Sequence, residues 1–450
     1  MKVKKNKYQY KWIDDFIKNI KPYVHVRLED NLLIKKPNKA TKLNKQGAQI
    51  LKYLLEGGKI KSLLNKAGES QQKEIIYFIV AVKNYLKGDL DEFTNNPAVD
   101  IQPFDMKFSS YPVLSELAIT YRCNLKCRFC YAGCNCTSNP INKNEELGIE
   151  SLKKIIYKIY YEAKVPSISF TGGEPTLRKN ELPELIKYAK KLNMRVNLIS
   201  NGTLINENYA RILEKAGLDT AQISLEGITA NTHDEIVGVH GAYEKTLNAI
   251  EILKKSNISV HTNTTITSRN INECINFPQF VKNTLGLDKF SMNLIIPTGS
   301  SIIYNDLIIK YSEIGDVLLK IIENSNIHGI EFMWYSPVPM CMFNSILHGL
   351  GNKGCSACDG LVSVSPAGDI LPCASFDDLL GNILDRDFET IWNNTKCTNY
   401  RNKNFAHDYC KSCEEFPMCN GACPLYWRYC GYDELNQTIN KINNDKLVSI

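Results

Sequence analysis

Cys123-Asn-Leu-Lys-Cys127-Arg-Phe-Cys130-Tyr131 is the stretch that decides the fold, and it follows an apolar run at residues 114–120. The run predicts a buried strand, so the three cysteines lie on a short loop at its end. Three thiolates can bind three irons of a [4Fe–4S] cluster, which leaves the fourth iron without a protein ligand. A zinc site or a set of buried thiols is the alternative, although zinc sites favour paired Cys-x2-Cys units.

Alternating strands and helices continue on the carboxyl side of the cysteine loop. Apolar strands are predicted before successive helical patterns, near residues 114–120, 167–170, 196–200, 220–225, 260–266 and 290–296. Repeated βα units form a parallel sheet, so we expect an α/β fold whose sheet curls into a partial (β/α)6 barrel. Active sites of such sheets lie at the carboxyl ends of the strands, where the cysteine loop begins.

Two further motifs follow the second and the fourth predicted strands. Residues 171–175 read Thr-Gly-Gly-Glu-Pro, and residues 224–227 read Ser-Leu-Glu-Gly. Together with the cysteine loop they resemble the radical S-adenosylmethionine (SAM) superfamily, whose Cys-x3-Cys-x2-Cys signature is matched in full. The resemblance implies that SAM binds the open iron through its amino and carboxylate groups. Reductive cleavage of SAM would then give a 5′-deoxyadenosyl radical.

The same resemblance assigns SAM contacts to Phe129, Gly172, Gly173, Glu174, Ser224 and Glu226. Glycines allow a close backbone approach, and the glutamate of the Gly-Gly-Glu turn can accept a hydrogen bond from the SAM ammonium group. One position departs from the family. Val237 stands where relatives often carry arginine, so the group that holds the SAM carboxylate is not identified.

A second cysteine-rich region follows the predicted barrel. Eight of its cysteines fit one spacing with Gly368: Cys355-x2-Cys358-x14-Cys373, then Cys410-x2-Cys413-x5-Cys419-x3-Cys423-x6-Cys430. This pattern resembles the SPASM extension of peptide-modifying radical SAM enzymes, which implies two fully ligated [4Fe–4S] clusters. By resemblance, Cys355, Cys358, Cys373 and Cys423 hold the inner cluster, and Cys410, Cys413, Cys419 and Cys430 the outer one. Two zinc sites would also use eight thiolates.

Five cysteines remain outside these patterns. Cys134 and Cys136 lie just beyond the catalytic loop, where they are either redox-active thiols or ordinary loop residues. Cys274 is expected in a helix and Cys397 in a loop. Neither of these two residues, nor Cys341, receives a role.

Composition and charge restrict the class of protein. The chain has 450 residues, 44% of them hydrophobic, 16 cysteines and a net charge of +6. Its longest apolar run, residues 75–82, is far too short to cross a bilayer, and no signal peptide precedes it. Closely spaced cysteines without a signal peptide favour metal ligation in a reducing cytoplasm.

The first hundred residues predict a small basic domain. They hold 20 Lys and Arg against 11 Asp and Glu. Two short strands at residues 23–28 and 32–34 precede helices at residues 45–55, 60–67 and 71–86, which is the order of a winged helix. A basic winged helix is often a DNA-binding module. The order also resembles the PqqD-like RiPP recognition element, which takes a leader peptide as an added strand.

These predictions combine into three domains: a leader-binding domain at residues 1–100, a radical SAM core at 101–335 and a SPASM domain at 336–450. The resemblance implies a peptide maturase that acts on a ribosomal precursor peptide, most often by forming a thioether, with ferredoxin or flavodoxin as electron donor. Carbon–carbon cross-linking, epimerisation and sulfatase maturation are alternatives. Sulfatase-maturing enzymes carry an aspartate after an inner-cluster cysteine, where this chain has Ala374 and Ser375. An iron–sulfur DNA-binding regulator is the non-enzymatic alternative.

Overall fold

The structure, a computed structural model, describes residues 10–88, 91–100, 108–134 and 146–448. Its amino-terminal part is a three-stranded antiparallel sheet packed against helices. The elements are α1 (Lys11–Ile20), β1 (Val24–Arg27), β2 (Leu32–Lys35), β3 (Lys39–Lys42), α2 (Lys45–Leu55), α3 (Ile60–Leu64), α4 (Glu69–Lys87) and α5 (Asp91–Thr94). Asn44 begins α2 by accepting a hydrogen bond from the Gly47 N–H at 2.7 Å.

The second sheet contains seven consecutive parallel strands. They are β4 (Leu114–Thr120), β5 (Ser167–Gly172), β6 (Arg195–Ser200), β7 (Thr220–Ser224), β8 (Ser259–Ile266), β9 (Lys289–Leu294) and β10 (Glu331–Trp334). The helices between them are α6 (Ile149–Tyr161), α7 (Glu181–Lys191), α8 (Glu207–Ala216), α9 (Ala230–Val237), α10 (Ala242–Lys254), α11 (Ile271–Cys274), α12 (Phe277–Asn283) and α13 (Tyr311–His328).

The cysteine-rich region extends this sheet at its other edge. Strand β11 (Leu361–Val364) pairs in parallel with β4, and β12 (Asp369–Leu371) and β13 (Gly381–Asn382) follow in antiparallel pairing. The remaining helices are α14 (Phe388–Trp392), α15 (Thr395–Arg401), α16 (Asp408–Lys411), α17 (Phe416–Cys419), α18 (Pro424–Cys430) and α19 (Asp433–Val448). No helix among the described residues is long and apolar enough to cross a membrane.

Two large hydrophobic cores organise the described residues, beside two small clusters at the cysteine loop. One belongs to the amino-terminal part alone and runs from Ile13 to Phe93. The other is continuous from Leu117 in the barrel to Ile439 in α19. The predicted barrel and SPASM domains therefore share one core, because β11 adds directly to the barrel sheet.

The amino-terminal domain contacts the barrel at the amino ends of the strands. Ser167, the first residue of β5, donates a hydrogen bond to the Pro37 carbonyl at 3.0 Å. Lys36 Nζ donates to the carbonyl of Asn193, just before β6, at 2.7 Å. Since the cysteine loop follows β4 at the opposite end, the barrel separates the two regions.

The α/β fold and all six predicted barrel strands are confirmed, and Cys274 lies in α11 as predicted. Two further strands, β10 and β11, join the parallel sheet beside the six predicted ones. The loop assignment of Cys397 is wrong. Asn394 caps α15 by accepting a hydrogen bond from the Cys397 N–H at 2.8 Å, a helix start that the sequence analysis missed.

Candidate active site

A cavity of about 220 Å³ opens at the carboxyl ends of the parallel strands. Its wall consists of the cysteine loop after β4 and of residues that end or follow β5 to β9. Eight predicted site residues line it: Cys123, Cys127, Phe129, Cys130, Gly172, Gly173, Ser224 and Glu226. Three thiols thus face one cavity together with most of the expected SAM contacts, an arrangement that fits a three-cysteine cluster with an open iron.

Backbone contacts hold the cysteine loop on two sides. The Lys126 N–H donates a hydrogen bond to the carbonyl of Val237, the last residue of α9, at 2.9 Å. On the other side, the Ser300 N–H donates to the Cys130 carbonyl at 2.9 Å. Val237 also lines the cavity with its apolar side chain, so it supplies no cation there.

The three thiols of the loop have different acidities. Burial raises the pKa of Cys123 to about 11 and that of Cys127 well above its usual range. A hydrogen bond with the Cys134 thiol lowers the pKa of Cys130. Iron binds thiolates, so ligation overrides these differences. Cys134 lines the cavity, whereas Cys136 lies outside the described residues.

The two glycines of the 171–175 turn are required by the protein backbone. A Cβ on Gly172, whose φ is +137°, would lie 2.0 Å from the Thr120 carbonyl oxygen. One on Gly173 would lie 2.2 Å from the Arg122 carbonyl oxygen. Any larger residue would push the turn away from the strand that carries the cysteine loop.

Glu174 differs in position from the other residues that are predicted to contact SAM. It is fully buried and does not line the cavity. Its carboxylate accepts hydrogen bonds from Ser200 Oγ and from the Asn201 N–H, both at 2.8 Å. Ser200 and Asn201 do line the cavity, so Glu174 fixes the position of two cavity residues. A direct bond from Glu174 to the SAM ammonium group stays a prediction.

Glu226 begins a row of polar side chains across the ends of β7, β8 and β9. Its carboxylate accepts a hydrogen bond from the Thr265 N–H at 2.8 Å, and burial raises its pKa to about 8. Asn293 donates to Thr265 Oγ1 at 3.3 Å, and Asn263 donates to Asn293 at 2.9 Å. Thr265, Asn263 and Asn293 line the cavity but escaped the sequence analysis. Asn263 and Thr265 lie two residues apart on β8, and Asn293 lies near the end of β9. Polar residues at these positions are the signal that could have found them.

His233 is a further cavity residue that the sequence did not single out for a role. Its Nδ1 accepts a hydrogen bond from the Glu226 N–H at 3.0 Å. Burial lowers its pKa to about 4, so the ring is neutral and carries its proton on Nε2. Within the described residues, Nε2 is buried and has no hydrogen-bond partner. His233 therefore offers a donor one helical turn before Val237.

The loop that carries Cys373, one of the cysteines predicted for the inner cluster, reaches the same cavity. Burial, followed by the negative charges of Cys355 and Cys423, raises the pKa of Cys373. Ser375, two residues after Cys373, lines the cavity. The thiol of the fourth predicted ligand, Cys358, is hydrogen-bonded to the buried thiol of Cys397. Hydrogen bonds to ligating sulfurs are one means of tuning a cluster's potential.

The cysteines predicted for the outer cluster do not all have the same neighbours. Burial raises the pKa of Cys410 to about 11, with further contributions from Cys419 and Cys413. Cys430, at the end of α18, is instead hydrogen-bonded to Tyr426. Across the described ranges, no three His, Cys, Asp or Glu side chains are arranged around a single metal ion.

Parts of this chain are similar in sequence to known domains and proteins. A profile of the radical SAM superfamily matches residues 117–276, and a profile of the SPASM iron–sulfur cluster-binding domain matches residues 329–414. The AdoMet-dependent heme synthase of Oleidesulfovibrio alaskensis is 30% identical over 68% of this chain and 80% of its own. A PqqA peptide cyclase of Granulibacter bethesdensis is 26% identical over 69% of this chain and 81% of its own.

Among solved structures, Streptococcus suis SuiB bound to its precursor peptide SuiA has a similar fold. It matches 90% of this chain and 95% of its own with a TM-score of 0.65. The identity is 18%, so this likeness concerns the fold alone. The match extends beyond the two profiles and includes most of the chain.

Proposed function

The chain belongs to the radical SAM superfamily and carries its SPASM iron–sulfur domain, and on that premise we propose that it is a maturase that oxidises a ribosomal precursor peptide. Members of this family use [4Fe–4S] clusters and SAM. The observation that carries the proposal is the amino-terminal domain, which has its own core and a small open sheet. A radical enzyme acting on a small molecule has no need of such a domain.

The amino-terminal sheet suits a leader peptide. In the order β1–β2–β3, strand β3 is an edge strand that pairs with β2. Among the described residues, its outer edge is occupied only at the carboxyl end, where the Asp100 N–H donates a hydrogen bond to the Lys42 carbonyl at 3.3 Å. An extended peptide can add to such an edge through main-chain hydrogen bonds. Lys39 on β3 and Lys45 at the start of α2 are exposed beside it. We therefore propose that an acidic leader binds along β3.

The part of the precursor that is modified, the core peptide, must then reach the opposite end of the barrel. Polar residues face one another along the sheet: Glu116 pairs with Ser169, which pairs with Asn197, and Gln222 pairs with His261. Side chains at alternate positions of a strand share a face, so His261 and the cavity residue Asn263 lie on the same side of β8. This face provides polar contacts for a peptide below the cavity.

The cavity residues would position SAM and exclude water around it. When bound, SAM and the cluster supply hydrogen-atom abstraction from a peptide carbon. We propose that Phe129, Gly172, Gly173, Ser224 and Glu226 contact SAM, with Glu174 holding Ser200 and Asn201 in place. Thioether formation removes two hydrogens from the peptide, so an electron acceptor is needed nearby. Ser375, two residues after Cys373, lines the cavity, which supports an inner cluster close to bound SAM.

Co-expression with each short cysteine-containing open reading frame beside the gene tests this function. We expect loss of two hydrogens from one peptide by mass spectrometry, together with release of 5′-deoxyadenosine. Cys127→Ala should abolish both products, while Cys413→Ala should keep some SAM cleavage without peptide product. SAM cleavage that leaves every candidate peptide unmodified would contradict the proposal.

A tetrapyrrole substrate is the second candidate, because three similar proteins are heme synthases. The amino-terminal domain distinguishes the two functions. Removing peptide affinity by Lys39→Glu and Lys45→Glu should stop peptide modification and should not affect a reaction on a tetrapyrrole. Sulfatase maturation is disfavoured, since Ser375 rather than a carboxylate reaches the cavity from the inner-cluster loop.

A further inference from the structure

Cys341 lies beside the outer group of thiols, although the SPASM spacing does not include it. It follows β10 by seven residues in the sequence Pro-Val-Pro-Met-Cys. The N–H of the preceding residue, Met340, donates a hydrogen bond to Cys419 Sγ at 3.3 Å. This bond holds the Cys341 loop directly against a predicted cluster ligand.

The Cys341 thiol faces all three members of the outer group. The charges of Cys419, Cys410 and Cys413 act on the Cys341 thiol, so all three lie near it.

Cys430 has different surroundings. The Tyr426 hydroxyl hydrogen-bonds to its thiol, and the charges that act on it are those of Glu434 and Lys310. Tyr426 also contacts the Tyr311 N–H at 3.1 Å, so this side of α18 faces the start of α13. Cys410, Cys413 and Cys419 are not among the groups that act on Cys430.

The chain between Cys419 and Cys423 explains how neighbouring cysteines serve different clusters. Asn420, Gly421 and Ala422 have φ values of 58°, 70° and 65°, three left-handed residues in succession. Such a run reverses the chain sharply, which non-glycine residues adopt only when the surroundings require it. Cys419 therefore faces Cys410 and Cys413, while Cys423 joins the inner group.

We propose that Cys341, and not Cys430, is the fourth ligand of the outer [4Fe–4S] cluster, together with Cys410, Cys413 and Cys419. The loop after the last barrel strand then becomes part of the SPASM cluster site. Cys341 is exposed, so the outer cluster lies near the surface, where an external electron carrier can approach it.

Iron content and spectra test this ligand set without peptide or activity. The background is the full chain with Cys123, Cys127 and Cys130 changed to Ala, reconstituted anaerobically, which should hold about eight irons in two clusters. Cys341→Ala should lose about four irons or give the electron paramagnetic resonance signal of an oxidised [3Fe–4S] cluster. Cys341→Ser, which keeps an oxygen ligand, should retain the cluster with an altered signal.

Cys430→Ala is the matched variant, and its iron content and spectrum should equal those of the background. Loss of iron from Cys430→Ala would overturn the proposal, whether or not Cys341→Ala also loses iron. Retention of both unaltered signals in Cys341→Ala would overturn it as well. Far-ultraviolet circular dichroism separates loss of a ligand from loss of the fold.

Discussion

At the scale of single residues, the ligand groups that the cavity can bind depend on which side-chain atoms carry protons. His233 illustrates this because the Glu226 N–H occupies Nδ1 and so fixes the donor at Nε2. Val237, one turn later on α9, supplies no charge to the same wall. A buried donor without a partner favours binding of an acceptor, such as a carboxylate. His233 is therefore the group we expect to receive the SAM carboxylate in place of the arginine that relatives often carry.

His233→Asn tests this role. The Asn oxygen can replace Nδ1 as acceptor for the Glu226 N–H, whereas the donor at Nε2 is lost. We expect SAM to bind about 10-fold more weakly, as loss of one hydrogen bond to a charged group predicts. Equilibrium dialysis of the reconstituted enzyme measures the change. His240→Asn, at an exposed position, is the control, and equal affinity in both variants would refute the role.

Residue types and spacing predicted part of this site. The cysteines were recognisable because cluster ligation requires thiolates at short, fixed intervals. Asn263, Asn293 and His233 were not, since each is a common residue whose role depends on strands far apart in sequence. The family spacing assigned Cys430 to the outer cluster, and the hydrogen bond of its thiol with Tyr426 is a contact that spacing could not predict.

At the scale of elements, the loop after β9 supports the cysteine loop. Gly299 has a φ of +57°, and a Cβ there would lie 2.3 Å from the Cys130 carbonyl oxygen and 2.4 Å from that of Tyr131. The two loops thus pack backbone to backbone. Pro297 and Gly299 are typical turn residues, but the sequence does not show what the turn contacts.

Gly299→Ala should displace the cysteine loop and reduce occupancy of the catalytic cluster. Gly349→Ala is a matched control, because Gly349 has a φ of +73° and open space around its Cβ position. Both variants bear the left-handed strain of about 1–2 kcal/mol, but only the first adds a clash. Iron analysis should show loss of about four irons in Gly299→Ala alone. Similar losses in both variants would assign the effect to strain.

Strand β8 contains a histidine that should make the stability of the fold depend on pH. His261 is buried, neither ring nitrogen has a hydrogen-bond partner among the described residues, and burial lowers its pKa to about 4. The unfolded chain takes up a proton below about pH 6.5, whereas the folded chain does not until about pH 4. Stability should therefore fall as the pH decreases through this interval.

His261→Leu should remove this contribution. Between pH 7.5 and 5.5, the free energy of unfolding of the variant should fall by about 1.4 kcal/mol less than that of the parent. Anaerobic urea titrations at the two pH values measure the difference. His240→Leu, at an exposed position, should retain the full pH dependence, and the same retention in His261→Leu would contradict the explanation.

At the scale of the whole molecule, the amino-terminal domain is attached at the end of the barrel opposite the cavity. Arg27 on β1 forms a buried ion pair with Asp30 at 2.8 Å. It also donates hydrogen bonds to the carbonyls of Pro112 (2.7 Å) and Tyr111 (3.0 Å), just before β4. Nothing in the sequence pattern links residue 27 to residue 112, so this attachment could not be predicted. It fixes where a bound leader would start relative to the cavity.

Arg27→Ala should weaken the contact between the amino-terminal domain and the barrel, and so uncouple peptide modification from SAM cleavage. The change leaves Asp30 buried without its cation, which costs about 3–5 kcal/mol, and removes both bonds to the barrel. Hydrogen exchange should then accelerate in β1 and in residues 108–113. Peptide modification should fall, while SAM cleavage without peptide should persist because the cavity lies at the other end.

Lys164→Ala, which removes a more exposed ion pair to Glu29 at the same interface, should cost no more than about 1 kcal/mol. Equal effects of the two variants would show that the buried pair does not hold the domain in place.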